Sequence, residues 1–300
     1  MANEAELLTR LSAELAARAG ALQGAAIAIR ISSQRHLSGT LWQPDVAVAS
    51  EQSLPARAEF ELVMPGGSAA PAKLVGRDPG TNLAVLRLAR PAAPSALVPG
   101  EAQAGALALA LGADGSGGAS VRLGAVNLAG PQWQSRAGGL LERRIVLDLR
   151  LERAEEGGPV FTAAGALLGM STFGPRARVL VIPWATLERI VPVLLKDGHV
   201  ARGWLGVALH PVALPDALRE QAGQSSGLMV MSLVEGGPAA KAGVVAGDIV
   251  LSVNDAPAVG FRRLAGELAP ERIGRKAALR VVRSGTVLSL DALIEARPAA

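Results

Sequence analysis

Glu152-Arg153-Ala154-Glu155-Glu156-Gly157-Gly158-Pro159-Val160-Phe161 is the stretch on which the reading of this chain turns. A pair of carboxylates runs directly into Gly-Gly-Pro. The glycines open backbone conformations closed to other residues, and the proline fixes φ and has no N–H to donate. Apolar runs flank the segment, Ile145 to Leu151 before it and Ala166 to Met170 after it. The pattern predicts a constrained turn between two buried strands. Such a turn is costly unless something uses it.

Composition narrows what that use can be. At 300 residues, half of them hydrophobic, the chain can fill two or three compact domains. Aromatics make up 3% and tyrosine is absent, so the cores must be packed with Leu, Val, Ile and Ala. Cysteine is absent too, which removes disulfides, thiolate catalysis and cysteine-based zinc sites. The three histidines are scattered, so neither a metal nor another cofactor is expected. The net charge of +4 is spread along the chain without a basic stripe interleaved with aromatics, which argues against nucleic-acid binding. Arg143-Arg144 and Arg262-Arg263 read as solvated strand ends or helix faces. The apolar runs Ala104 to Ala113 and Val179 to Pro183 are too short to cross a bilayer. Glu4, Glu6 and Glu14 stand where a secretory leader would be basic and then apolar. The chain as written is therefore expected in the cytoplasm, or in the periplasm if a leader has been removed.

In order, residues 1–20 hold a helix over 3–19, with Asn3 as N-cap and Leu7, Leu8, Leu11 and Leu15 on one face. A helix docked over a sheet edge is favoured over an oligomerisation element. Short strands follow at Ala25 to Ile31, Ser38 to Trp42, Val46 to Ala49, Glu59 to Met64 and Ala72 to Gly76, the spacing of a small antiparallel barrel. After a proline-rich joint, Pro91 to Pro99, a second set covers Leu107 to Leu111, Ser120 to Leu128, Arg144 to Leu149, Val160 to Thr162, Leu167 to Thr172 and Val179 to Pro183. Gly112 to Gly118 lacks the Lys-Ser/Thr ending of a phosphate loop and reads as a hairpin connection. Thr186 to Leu195 is helical, and a linker around His199 leads to a separate unit over 203–297. There Gly227 to Val234 is a strand, Gly236 to Gly243 a turn and short helix, Gly247 to Asn254 a turn and strand, and Phe261 to Ala269 a helix. Ala277 to Arg283 and Val287 to Ile294 close it as a hairpin.

This last third resembles the PDZ domains of bacterial proteases, most specifically in Pro238-Ala239-Ala240-Lys241-Ala242-Gly243 and Gly247-Asp248-Ile249-Val250-Leu251-Ser252-Val253-Asn254. Residues 21–198 resemble a trypsin-like serine protease. The opening stretch is similar to the HtrA nucleophile loop Gly-Asn-Ser-Gly-Gly-Pro, with Glu156 in the serine's place and Ala154 in the preceding glycine's. Thr81-Asn82-Leu83-Ala84-Val85 resembles the Thr-Asp-Leu-Ala-Val that carries the family's aspartate, with Asn82 in its place. Pro44 to Leu54 resembles the segment carrying the histidine; allowing a one-residue gap, Gln52 takes that position. The whole is similar to the HtrA family: mostly β, a trypsin-like double six-stranded β-barrel followed by a PDZ domain, with a short N-terminal helix.

The resemblance implies two sites. PDZ domains capture a peptide or protein C-terminus as an added strand. Trp204, Leu205, Gly206 and Val207 match the carboxylate-binding loop, Ala208 and Leu209 begin the strand edge that runs to Pro211, and Leu264 and Leu268 would line the pocket with Leu205 and Val207. His210 lies near this edge. The protease site is degenerate. Glutamate is a poor acyl-transfer nucleophile, glutamine has no titratable nitrogen to act as base, and asparagine cannot stabilise an imidazolium. Loss of the triad leaves only about 10³–10⁴ over water from binding and the oxyanion hole. His36 and Ser53 form no second triad, and adjacent Glu155 and Glu156 do not read as a glycosidase pair. The expectation is a pseudoprotease that binds peptides as a scaffold or regulator. It competes with an active serine endopeptidase of protein quality control whose catalytic residues are displaced or misaligned, and with a PDZ adaptor on inert barrels. Relatives commonly form trimers, so a homo-oligomer, or a hetero-oligomer with an active homologue, is implied as well.

Overall fold

Val46 to Ser50 has no polar face, and all five residues are buried. Alternation explains it: Ala47 and Ala49 point into one apolar core, while Val46 and Val48 point into another on the opposite side. A strand covered on both faces marks the centre of a layered β unit. The computed structural model describes residues 2–93, 97–135, 137–260, 264 and 266–298. The chain forms two compact units, Met1–Trp133 with Leu140–Val200, and Gln134–Gly139 with Ala201–Ala300.

In the first unit, β1 (Ala26–Arg30), β2 (His36–Gln43), β3 (Val46–Ser50), β4 (Glu59–Val63), β5 (Ala69–Asp78) and β6 (Leu83–Leu88) close an antiparallel barrel in the order β1-β2-β3-β6-β5-β4. The strand missing from the sequence reading is β6, which falls on the segment quoted there for its family motif. A second closed barrel runs in the order β9-β12-β11-β10-β7-β8, from β7 (Leu107–Ala113), β8 (Ala119–Gly130), β9 (Arg144–Asp148), β10 (Pro159–Thr162), β11 (Leu167–Phe173) and β12 (Val179–Pro183). Helix α2 (Trp184–Asp197) sets Leu187, Ile190, Val191 and Leu194 against Val46 and Val48 of the first barrel and Met170 and Ile182 of the second. It stops at Gly198, which takes φ 75° and donates its N–H to Leu194 O.

Helix α1 (Ala2–Leu22) corrects the docking expectation. Leu7 and Leu8 are about two-thirds exposed, and only the C-terminal end is anchored, through buried Ala19 and through Leu22 against the Ala25-Ala26 core. The leucines share a face, but no described surface covers it. The side chain of Asn3 lies outside the described residues, as do Arg262-Arg263 and the start of the helix expected at Phe261.

The second unit is a sheet in the order β14-β15-β16-β18-β19, from β14 (Val207–Ala213), β15 (Ser226–Leu233), β16 (Ile249–Val253), β18 (Lys276–Arg283) and β19 (Thr286–Leu293), with β17 (Ala256–Pro257) pairing β16. β13 (Gly203–Trp204) pairs β20 (Glu295–Ala296). Between β14 and β15 lies α3 (Asp216–Ala222), which the sequence reading did not separate from its loop, and α4 (Pro238–Lys241) follows β15. Asp248, 1% exposed, accepts both Arg283 Nε and Nη2 at 2.8 Å and the Val245 N–H at 2.9 Å. Burial works against its charge, but Arg283 and the Val245 amide outweigh it and hold its pKa below the ordinary 3.8.

Asp248→Asn is expected to destabilise this unit by about 2–3 kcal/mol, as breaking a buried pair leaves Arg283 and an amide poorly matched. Urea melts against pH check it: the wild-type advantage is complete above pH 3.8 and fades as pH falls through the lower folded-state pKa.

Candidate functional site

The Gly-Gly-Pro turn is wedged between the two barrels. Gly157 takes φ +94°, and a Cβ there would come within 2.3 Å of Ser38 O in β2. A Cβ on Gly158 would come within 1.9 Å of Leu111 O in β7. Only glycine fits at either position. Gly157 also receives the Thr40 hydroxyl on its carbonyl at 3.0 Å, and Ser38 Oγ donates to Ala154 O at 2.7 Å. Sequence and packing together fix where residue 156 sits.

Glu156 is 3% exposed and its carboxylate is the hub of a closed hydrogen-bond network. Ser50 Oγ (2.8 Å), Gln52 Nε2 (2.7 Å), Thr172 Oγ1 (2.8 Å) and the Phe173 N–H (3.3 Å) donate to Oε1. Ser53 Oγ donates to Oε2 at 2.5 Å. Asn82 stands one step behind: its Nδ2 donates to Ser50 Oγ (3.0 Å) and Thr172 Oγ1 (2.7 Å), and its Oδ1 accepts the Gln52 N–H (2.7 Å). Asn82 has φ 58°, a left-handed conformation that asparagine tolerates better than most residues. The fold thus brings Gln52, Asn82 and Glu156 together. Burial is the largest influence on Glu156 and disfavours its charge, yet Ser53, Gln52, Ser50 and Thr172 together overcome it and hold the pKa below 4.5. At neutral pH the group is a carboxylate with its lone pairs engaged.

A carboxylate held below its ordinary pKa is a weak base, and every hydroxyl around it already donates. The Glu156 N–H, which an oxyanion hole would need free, is turned back to Arg153 O at 3.4 Å in the short turn Arg153–Glu155. Glu155 faces other partners: Ser120 Oγ (2.6 Å), Arg122 Nε (2.9 Å) and the Glu152 N–H (2.7 Å). The adjacent carboxylates share no donor, as a working acid/base pair would have to share a substrate. His36 lies 2.9 Å from Ala113 O through Nε2, with no bond to this network. Ser50 and Thr172 escaped the sequence reading. Their signal is a buried hydroxyl at the end of a strand otherwise fully apolar on that side, at 2% and 3% exposure.

In the second unit, Leu205 and Leu264 are buried and Val207 and Leu209 half-buried around a cavity of about 10 Å³. That is barely room for one water. Leu268 is beside this cluster, not in its wall, and its carbonyl accepts the Gly203 N–H at 2.9 Å. Gly206 takes φ +73°, over the Trp204 ring, and neither its N–H nor that of Leu205 donates to a described residue. Ala208 and His210 are exposed on β14, an outer strand of the sheet. Among the described residues no helix is long and apolar enough to cross a membrane.

Two closed antiparallel barrels with a glycine-walled turn between them, followed by a sheet whose outer strand begins at a loop of unpaired amides, define a trypsin-like peptidase fold joined to a PDZ domain. Models of the trypsin-like peptidase domain and of the PDZ domain match residues 38–170 and 203–294 respectively. The chain belongs to the HtrA family. It is 32% identical over 249 residues to a probable periplasmic serine endoprotease, DegP-like, of Brucella suis, covering 80% of this chain and 48% of that one. A protein of the same description from Rhizobium meliloti is 32% identical over 235 residues, covering 75% and 46%. The chain therefore spans about half the length of the curated relatives it matches. Among solved structures, the HtrA-type protease AlgW with tripeptide superposes at a TM-score of 0.72 with 26% identity, over 95% of this chain and 98% of that one.

Glu156→Gln is expected to cost about 2–4 kcal/mol, because the amide turns new donors toward donors around a buried side chain. Unfolding against pH checks it: the gap to wild type is full above pH 4.5 and narrows as pH falls through the depressed pKa of Glu156. Gly158→Ala is expected to lose about 3 kcal/mol or more by driving the turn off Leu111, measured as a drop in melting temperature.

Proposed function

We propose that the chain is a pseudoprotease whose work is binding: its PDZ groove takes an extended peptide or a protein C-terminus, and its barrels support that groove as a scaffold or regulator. One observation carries the reading: the nucleophile's position holds a buried carboxylate, Glu156, saturated by Ser50, Gln52, Ser53, Thr172 and the Phe173 amide. In the triad a serine passes its proton to a histidine that an aspartate orients. Here Gln52 and Asn82 occupy those places as fixed donors, and the proton has nowhere to go. Peptide capture is assigned to Trp204, Leu205, Gly206, Val207, Ala208 and Leu209, with Leu264 in the pocket and Leu268 behind it. The AlgW structure with tripeptide supports peptide binding in a relative of this architecture. The relatives' periplasmic naming supports the periplasm as the place of action over the cytoplasm.

A second reading, an active serine endopeptidase, draws on the relatives' names. Its best nucleophile is Ser53, half-buried and bonded to Glu156. Against it stands the weakness of a stabilised carboxylate as a base.

Incubation of the full chain with unfolded casein and with a fluorophosphonate probe separates the two. No cleavage and no labelled serine are expected, and Glu156→Ser alone is expected to stay unlabelled because Gln52 cannot take its proton. Labelling of Ser53, or turnover of casein that the probe abolishes, establishes the endopeptidase.

A further inference from the structure

The backbone phase of the PDZ edge strand limits what it can hold. Val230 in β15 donates its N–H to Asp248 O and accepts the Gly247 N–H, both at 2.8 Å, so its polar groups face away from β14. Along a strand successive residues direct these groups to opposite sides. Met229 and Gly227 therefore face β14, where their partners are His210 and Val212. The Leu214 N–H bonding Ser225 O at 2.8 Å continues the same phase. Leu209, Pro211 and Ala213 are left facing the open side of the sheet. Proline has no N–H, so at 211 the edge offers an acceptor but no donor.

An added strand that sets its carboxylate on the Leu205 and Gly206 amides runs antiparallel to β14. With its last residue opposite Val207, its third-from-last lies opposite Leu209 and exchanges two hydrogen bonds. Its fifth-from-last lies opposite Pro211 and finds one of the two missing. We infer that Pro211 is the specificity-determining residue of this groove: a tail entering carboxylate first makes full pairing over its last three residues and only half of it at the fifth-from-last. The apolar wall of Leu205, Val207, Leu209 and Leu264 favours an apolar last side chain. This rests on the peptide-binding reading above.

The test uses the full chain and a bead-bound library of random hexapeptides with free C-terminal carboxylates. The tightest hexapeptide is resynthesised beside its C-terminal tripeptide and its amidated form, and affinities are measured for wild type, Pro211→Ala and Pro211→Val. In wild type the hexapeptide is expected to bind about fivefold tighter than the tripeptide, the worth of its one bond to the Pro211 carbonyl, and the amidated form to lose binding. Restoring an N–H at 211 is expected to raise the hexapeptide-to-tripeptide ratio about fivefold further, to about 25-fold, the second neutral hydrogen bond's worth. A wild-type ratio already that high, or one that neither variant moves, overturns the role of Pro211 and leaves the groove standing. A library from which nothing is enriched overturns the peptide-binding reading itself.

Discussion

A negative charge buried without a cation is the constraint around which the barrel unit is arranged. Moving a carboxylate out of water is expensive, and it stays ionised in a folded protein only when enough dipoles point at it. Glu156 meets that demand with neutral groups alone. Ser50, Gln52 and Ser53 come from the end of β3 and the turn after it, and Thr172 and Phe173 come from β11. The donors belong to different barrels, so the charge can be satisfied only while the barrels hold their native relation. The turn that carries Glu156 thus acts as a staple between the barrels. Removing any one donor leaves an anion short of a partner, which is the costly half of hydrogen-bond energetics.

The network is also complete. Among the described residues no buried side-chain nitrogen or oxygen lacks a hydrogen-bond partner. The polarity of the network points the same way: Asn82 donates to Ser50 and Thr172, and both donate on to Glu156. Glu155 shows the alternative solution one residue away, with the Arg122 guanidinium taking the charge at the partly exposed side of the turn.

Much of this was legible before the fold was known, for identifiable reasons. The Gly-Gly-Pro turn announces itself because no other residues fit against Ser38 and Leu111. Gln52, Asn82 and Glu156 could be placed together because each lies in a motif whose spacing the barrels enforce. Ser50 and Thr172 were missed since small hydroxyl residues inside apolar strands look like ordinary strand formers until their register is known. β6 was missed because its residues had been read as a motif and not as an element. The exposed leucines of α1 mark the limit of periodicity: a 3.6-residue pattern says that a helix has an apolar face, not that a surface exists for it to cover.

On the peptide-binding reading, the PDZ unit raises the converse problem, a groove with its polar anchor ready and its apolar wall packed. The Leu205 and Gly206 amides are already unpaired, so an arriving carboxylate displaces no protein contact. Its companion side chain meets the packed row Leu205, Val207, Leu209 and Leu264 and makes room by moving it. A groove whose competent form is only fractionally populated binds more weakly by that fraction, and a ligand can open it only by preferring the open form. Small last residues ask for less opening and keep most of their binding energy. Selectivity then comes from the cost of making room as much as from contacts made, since the anionic anchor is the same for every C-terminus and cannot discriminate.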